Sequence, residues 1–233
     1  MKYHQPFYPD ACYHIFNHAV GNENLFRSED NYYYFLRKYS HHIYPVVKTI
    51  AYNLLPNHFH FLVRVRDEEA LVKRCEELIE LKNAELEKPY RFGNKPIRLK
   101  EKHQQPKKFE REKFSAHDFV MQQFSNLFNG YAKAYNIQYV RKGALFLDYL
   151  MRTHVQNDNY VKNLIAYIHY NAGHHNLCRN VEDWKFSSFH SPLSNSKTKT
   201  EREEILKLFE TKEGYKKYHK DFKDMMDDDL EFL

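Results

Sequence analysis

Residues 56–63 read Pro56-Asn57-His58-Phe59-His60-Phe61-Leu62-Val63. Histidines alternate with phenylalanines before an apolar run, which is typical of a largely buried β-strand. Because residues i and i+2 of a strand point to the same face, we expect the imidazoles of His58 and His60 to lie side by side. Phe59 and Phe61 would then point into a core on the other face. Neutral imidazole is the commonest metal ligand among side chains, so the two histidines are candidates for half of a metal site.

The segments around this stretch predict an α+β fold. Hydrophobic patterning predicts strands at 12–20, 44–55, 58–65 and 144–155. Helical spacing and capping residues predict helices that begin after Ser28 and at residues 68–87, 117–135 and 159–170. The order of these elements indicates a ferredoxin-like topology, with helices on one face of a mainly antiparallel sheet and a hairpin turn at 56–57.

The domain organisation follows from shifts in composition. We predict one domain over residues 1–190, with a charged insert at about 67–116, and a helical C-terminal tail over 191–233. Thr200 and Glu203 form a potential capping box at the start of the tail, whose acidic end, 227–229, we expect at the surface. The segment 89–113 is rich in Lys and Arg and contains Pro96 and Pro106 in its interior. It is interpreted as a solvated loop or, alternatively, as a basic flap over nucleic acid.

Composition limits the possible classes of protein. The chain has 233 residues and a formal net charge of +5, a mild basic bias that is compatible with a polyanionic partner but does not require one. It contains no apolar run of roughly 18 residues and no signal-peptide pattern at its start, so we expect no membrane span. Cys12, Cys75 and Cys178 are widely spaced, which predicts thiols in a reducing, cytoplasmic environment and argues against a zinc ribbon.

The predicted helix at 159–170 has two distinct faces. The apolar face consists of Val161, Leu164, Ile165 and Ile168. A second face, roughly 120° away on the helical wheel, carries Asn163, Tyr167, Tyr170, Asn171 and His174. Tyr167 and Asn171 are i and i+4 neighbours on that face, away from the apolar stripe. Packing of Tyr167 and a C-cap role for Asn171, with Ala172 and Gly173, are the simpler interpretations.

The two histidines and this helix together predict a reactive site. His58, His60 and the side-chain oxygen of Asn171 could hold one divalent cation, which would act as a Lewis acid on a phosphate. Tyr167 would be the nucleophile, forming a phosphotyrosine that conserves the energy of the phosphodiester. Tyr170 is the nearest competitor for that role. Phosphate contacts are predicted for Arg141, Lys142 and Arg152, and less strongly for His169, His174 and His175.

An ordered set of motifs resembles the HUH single-tyrosine transposases, and among them the REP-associated tyrosine transposases. The motifs are Tyr13-His14-Ile15-Phe16-Asn17 with Leu25-Phe26, Leu55-Pro56-Asn57-His58-Phe59-His60, Phe128-Asn129-Gly130-Tyr131-Ala132, Gly143-Ala144-Leu145-Phe146, Ala166-Tyr167-Ile168-His169-Tyr170-Asn171 and Trp184-Lys185-Phe186-Ser187-Ser188-Phe189. The likeness covers about residues 8–66 and 117–190.

The resemblance implies a fold, a reaction and a set of roles. It implies that His58, His60 and Asn171 ligate Mg²⁺ or Mn²⁺ and that Tyr167 is the nucleophile. It further implies cleavage of single-stranded DNA next to hairpins, with covalent attachment to the 5′ end and release of a 3′-OH. Some relatives are dimers and others act as monomers, so a homodimer is possible.

Two other functions are compatible with the sequence. The mild charge, and the scarcity of basic residues after Phe146, are also typical of a domesticated protein that binds single-stranded or hairpin nucleic acid without cleaving it. A histidine-based phosphoesterase without a covalent step is a third hypothesis, although it leaves the position of Tyr167 unexplained.

Overall fold

The computed structural model describes residues 4–86, 91–92, 95–96 and 107–228. Its strands are β1 (Cys12–His18), β2 (Val47–Leu54), β3 (His58–Val65), β4 (Arg91–Phe92), β5 (Lys95–Pro96) and β6 (Met151–Val155). Its helices are α1 (Glu29–His42), α2 (Glu68–Leu86), α3 (Ala116–Gln138), α4 (Asp158–His174), α5 (Arg202–Phe209) and α6 (Lys212–Asp228). Among the described residues, no helix combines the length and the apolar character that crossing a membrane demands.

Four strands form an antiparallel sheet in the order β2-β3-β1-β6. With α1 between β1 and β2, and α3 between β3 and β6, this is the predicted ferredoxin-like arrangement. The predicted hairpin of β2 and β3 is confirmed. In the pairing of β1 with β3, Phe16 lies opposite His60 and His18 lies opposite His58.

Helices cover both faces of the sheet, so the prediction of helices on one face is corrected. On one face α1 and α3 enclose a core that includes Phe35, Phe61 and Tyr131. On the other face α4, α5 and α6 cover a second apolar cluster that includes Leu62 and Ile165. The reason is that β3 carries apolar side chains on both faces, and each buried side chain of this kind contributes on the order of 2 kcal/mol when it is removed from water.

Three predicted elements have different bounds in the structure. The strand predicted at 144–155 is confined to β6, because residues 144–150 run as a loop that places Leu145 and Phe146 in the core. A β-bridge between Ala19 and Phe146, and a hydrogen bond from Asn17 Nδ2 to the carbonyl of Leu147 (3.2 Å), join this loop to the end of β1. Helix α4 continues to His174, so Asn171 lies within the helix and is not its C-cap. Thr200 bridges to Thr49 of β2, and the predicted capping box does not form.

The aromatic segment 184–189 packs against the body, as predicted. The Phe186 ring stacks on Tyr32 with 3.8 Å between ring centroids. The indole of Trp184 donates to the carbonyl of Leu54 (3.0 Å). Ser187 bridges to Asn53, so this segment covers the open edge of β2. An edge strand that is covered in this way cannot pair with another chain.

The charged insert begins with α2, which spans nearly the predicted residues. Most of the segment 89–113 lies outside the described residues, and with it the predicted basic flap. Its described parts are β4, which pairs with β5, and residues 107–113. At the other end of the chain, Asp227 and Asp228 belong to α6 and Asp229 lies outside the described residues. The three cysteines are thiols, as predicted.

A buried polar cluster joins α4 to α6. His169 Nδ1 lies 2.9 Å from His219 Nε2, and His169 Nε2 lies 2.8 Å from Ser188 Oγ. His219 Nδ1 donates to the carbonyl of Tyr215 (2.8 Å), because a carbonyl oxygen only accepts. Burial lowers the pKa of His219 to about 4 and that of His169 well below its ordinary value. Both imidazoles are therefore neutral at pH 7.

The stability of the fold should decrease with acid because of His219. In the unfolded chain its imidazole takes up a proton near pH 6.5, whereas in the folded protein it does so near pH 4. The unfolded state thus binds more protons in this window, and the free energy of unfolding should fall by up to about 3 kcal/mol as the pH drops from 6.5 to 4. Urea unfolding at a series of pH values measures this.

The variant His219→Gln isolates the contribution of this side chain. The glutamine side chain does not take up a proton in this pH range. The free energy of unfolding of the variant should therefore depend less steeply on pH, by up to about 1.4 kcal/mol per pH unit. The exposed Gln122 supplies a control without a titrating group, since Gln122→Ala should keep the full slope. Equal slopes in all three proteins would contradict the assignment to His219.

Candidate active site

His58 and His60 lie side by side on the sheet face that α4 covers. Their rings are 5.2 Å apart between centroids, and both residues are buried, with 3% and 6% of their surface exposed. Phe59 and Phe61 point to the opposite core, as the strand alternation predicts. The two imidazoles therefore lie on the same face of β3, as the sequence predicted.

Hydrogen bonds hold both rings by their Nδ1 atoms. His58 Nδ1 donates to Asn57 Oδ1 (2.8 Å), since an amide oxygen only accepts, and this leaves the lone pair on His58 Nε2. His60 Nδ1 lies 3.0 Å from His14 Nε2. With a proton on His60 Nδ1, the Nε2 atoms of both β3 histidines carry lone pairs. This tautomer is the one in which metal-ligating histidines are commonly held by their neighbours.

Three further histidines surround the pair: His14 and His18, which the strand pattern did not assign to the site, and His175, which was predicted only as a weaker phosphate contact. His14 pairs with His60, as described, and the His18 ring stacks on His58 at 4.5 Å and 10°. His175, just past the end of α4, contacts His58 edge-on at 4.8 Å. The signal for the β1 residues was present as His14-x-Phe16-x-His18, which puts alternate residues on one face. The partner strand of β1 was the missing information.

Burial keeps these imidazoles neutral. It lowers the pKa of His58 to about 3 and that of His14 to about 4, and it holds the pKa of His60 well below its ordinary value. Neighbouring histidines lower the pKa of His58 and of His60 further, because adjacent positive charges repel. At pH 7 the pair is thus in the form that binds a cation.

Helix α4 brings Tyr167 to the histidines and carries Asn171 one helical turn further on. The Tyr167 ring meets His60 at 5.9 Å and His14 at 6.3 Å, in both cases nearly edge-on. Asn171 is buried, and its Nδ2 donates to the carbonyl of Tyr167 (2.9 Å). Burial raises the pKa of Tyr167, and a hydrogen bond with the Asn171 side chain opposes this rise. The phenol is therefore protonated at pH 7.

The donor set at this place fits a divalent cation only if an oxygen ligand joins the histidines. Within the described ranges, no three or more His, Cys, Asp and Glu side chains are grouped so that they could hold a metal ion. His58 and His60 offer two imidazole nitrogens, and the Asn171 side-chain oxygen is the ligand predicted to complete them. Two imidazoles and one amide oxygen are compatible with Mg²⁺ or Mn²⁺ when phosphate oxygens or water supply the other positions.

Two aromatic or basic side chains of α4 lie elsewhere than predicted. Tyr170 is buried and packs against Phe222 of α6, and the half-buried Tyr167 packs against the same small cluster. His169 is 1% exposed and belongs to the buried cluster with His219, which excludes it as a phosphate contact. His174 and the C-cap residue His175 are exposed, as is expected for the solvated end of a helix.

The three basic residues predicted to contact phosphate differ in their surroundings. Arg152 is 6% exposed and donates to the carbonyls of Gln5 (2.6 Å) and Leu150 (3.1 Å), so it stabilises the chain terminus against β6 and is corrected from a phosphate contact to an internal one. Arg141 donates to Asn136 and to the carbonyl of Ala144, which fixes the turn after α3. Lys142 is exposed.

Comparisons with known proteins give a likeness of fold. No family model matches the chain, and no curated protein matches it. The chain is similar to a solved structure described as the REP-associated tyrosine transposase bound to a REP hairpin, with a TM-score of 0.52 and 10% sequence identity. The match covers 84% of this chain and 86% of that one. The chain therefore has the α+β fold of a REP-associated tyrosine transposase, as its motifs predicted.

Proposed function

We propose that this protein is a metal-dependent enzyme that nicks and rejoins single-stranded DNA next to hairpins, through a covalent bond to Tyr167. One observation carries the proposal. The phenol ring of Tyr167 on α4 meets both His14 and His60 edge-on, and the buried Asn171 lies one helical turn beyond it. The shared fold with a hairpin-bound transposase supports DNA as the substrate class.

The reaction follows from the chemistry of a phenol beside a phosphodiester. The Tyr167 oxygen attacks the phosphorus and forms the new P–O bond, while the bond from phosphorus to the 3′ oxygen breaks. The phenol proton leaves the tyrosine, and the departing 3′ oxygen gains a proton, so the products are a 5′-phosphotyrosine and a free 3′-OH. Attack by a 3′-OH on the phosphotyrosine reverses these bond changes and rejoins a strand.

The residues of the chain position this reaction. His58, His60 and Asn171 would hold a divalent cation, which supplies Lewis-acid polarisation of the phosphate when bound. The hydrogen bond of Asn171 to the carbonyl of Tyr167 ties the amide to the same helical turn as the nucleophile. Tyr167 is half-buried against the apolar clusters around α4, which limits the access of water to one side of the phenol.

Replacing Tyr167 with Phe should abolish covalent protein–DNA adducts. A pool of labelled single-stranded hairpin DNAs is incubated with the protein and Mn²⁺, and adducts are resolved on a denaturing gel. The variant Tyr160→Phe, on an exposed tyrosine of the same helix, should form adducts as the wild type does. Loss of one hydroxyl that makes a single hydrogen bond should change the stability by only about 1 kcal/mol. Adducts that persist in Tyr167→Phe would exclude this residue as the nucleophile.

Divalent metal binding should depend on the two β3 histidines and on Asn171. Titration with Mn²⁺, followed by the paramagnetic resonance signal of the free ion, measures affinity without any reaction. His58→Ala, His60→Ala and Asn171→Ala should each weaken binding by more than about tenfold, because each removes a ligand. His41→Ala, on the exposed end of α1, should leave affinity unchanged. Equal Mn²⁺ affinity in all of these proteins would contradict the proposed site.

Lys142 is expected to contact DNA phosphate. Lys142→Ala should weaken the binding of hairpin DNA to a similar extent for every sequence. It should also lower the magnitude of the slope of log affinity against log salt concentration by about 1, because one fewer counterion is released. Fluorescence anisotropy at several salt concentrations measures both effects. The control Lys82→Ala removes a lysine from α2. An unchanged slope for Lys142→Ala would exclude a phosphate contact there.

Non-catalytic binding of hairpin nucleic acid is the second candidate. The raised pKa of Tyr167, whose phenol stays protonated, and the internal bonding of Arg141 and Arg152 favour it, since both features reduce what the site offers to a reacting phosphate. Hairpin binding without adducts under any divalent cation would establish this candidate. A metal-dependent phosphoesterase activity that survives in Tyr167→Phe would instead establish the histidine-based alternative.

A further inference from the structure

Phe16 is an aromatic side chain on the same sheet face as the candidate site. Strand alternation places it between His14 and His18 on that face of β1. Its ring stacks beside His14 at 5.0 Å and beside His60 at 5.7 Å, with interplanar angles of 29° and 25°. Phe16 is only half-buried. Tyr13, the aromatic residue of β1 that faces the opposite core, is fully buried.

The sheet face around Phe16 is only partly covered. Helix α4 packs chiefly against β2 and β3. On β6, Met151 lies opposite Phe16 in the register, and Thr153 lies opposite His14. Both β6 residues are half-buried, as is His18. The end of the β1–β6 half that carries Phe16 is thus partly exposed and continuous with the histidines, whereas Cys12 and Val155 at its other end are buried in the cluster with Val161 of α4.

We infer that Phe16 is the stacking platform for a nucleobase next to the phosphate that Tyr167 attacks. The inference rests on the proposed function and names the part of the site that would bind the base. A phosphate held at His58 and His60 has a neighbouring strand on each side, and because α4 packs against β2, the nucleoside would lie on the β1 side. Phe16 lies opposite His60 in this pairing, so its ring is the first aromatic surface that the base would meet.

The chemistry of the surface favours a nucleobase over an apolar partner. A base needs a flat aromatic ring against its own face and polar groups around its edge. Phe16 supplies the ring, while the hydroxyl of Thr153 and the imidazole of His18 flank it as hydrogen-bonding groups on the same face. Stacking on an aromatic side chain is tolerant of sequence because every base has a π-face, so Phe16 would hold single-stranded DNA without selecting one base.

The test compares strands with and without bases. The probes are a thymidine homopolymer and an abasic strand of equal length, with anisotropy as the readout and Tyr167→Phe as the background, so that no cleavage interferes. The parent protein should bind the thymidine strand more tightly. In Phe16→Leu, which keeps an apolar side chain but loses the ring, this preference should fall by roughly 5- to 150-fold, the range expected for one stacked base.

Two further variants make the result decisive. Phe16→Trp restores a ring and should restore the preference, which a purely structural role of Phe16 would not produce. Tyr33→Ala removes an exposed tyrosine from α1, on the other side of the sheet, and should leave the preference intact. Circular dichroism and thermal unfolding confirm that each variant is folded.

The outcomes separate this inference from the proposed function. Binding with the same preference in Phe16→Leu as in the parent would overturn the platform while leaving DNA as the substrate. Binding of both strands with equal affinity by the parent would also overturn it. A parent that binds neither these strands nor hairpin DNA would overturn the proposed function and the platform together.

Discussion

The antiparallel pairing of β1 with β3 is the constraint on which the site and the core both depend. It sets His18 opposite His58 and Phe16 opposite His60, and in the same register it sets Ile15 opposite Phe61 in the core. A slip of one residue would turn every side chain of β1 to the other face. The apolar residues of the core therefore fix the register. In a shifted register, imidazoles would be buried in the core without hydrogen-bond partners, which costs free energy. The positions of the candidate site residues follow from that register.

The second half of the site depends on how α4 is held over the sheet. Asn53 of β2 donates through its side chain to the carbonyl of Ile168 (2.8 Å), which fixes the helix against the strand beside β3. On its outer side, His169 is held by His219 of α6 and by Ser188. These contacts flank Tyr167 and leave little freedom for α4 to rotate. The C-terminal helix thus contributes to the geometry of the site without reaching it, since reactive groups need support from the side chains behind them.

Local sequence patterns predicted the helices and strands better than they predicted the tertiary contacts of individual side chains. The limits of β3 and the direction of His58 and His60 followed from alternation alone, because one strand contains all the necessary information. The helix of Tyr167 was also predicted, but its end was placed too early, at Tyr170, since Asn171-Ala172-Gly173 resembles a C-cap. The burial of Tyr170 could not be predicted, because it depends on α6, which lies far along the chain. The same holds for Arg152, because the carbonyl of Gln5, one of its partners, lies far away in the sequence.

The absence of carboxylates gives the candidate site a particular electrostatic character. Within the described part of the chain, the side chains found in contact there are imidazoles, a phenol and an amide, all neutral at pH 7. Neutral ligands leave the charge of a divalent cation uncompensated, which weakens its binding but preserves its attraction for a phosphate. Under the proposed function, the DNA phosphate would supply the missing negative charge. Metal and DNA would then each increase the affinity for the other, by the reciprocity of linked binding. A carboxylate in place of Asn171 would strengthen metal binding and weaken this coupling, because it would neutralise part of the charge that the phosphate would otherwise meet.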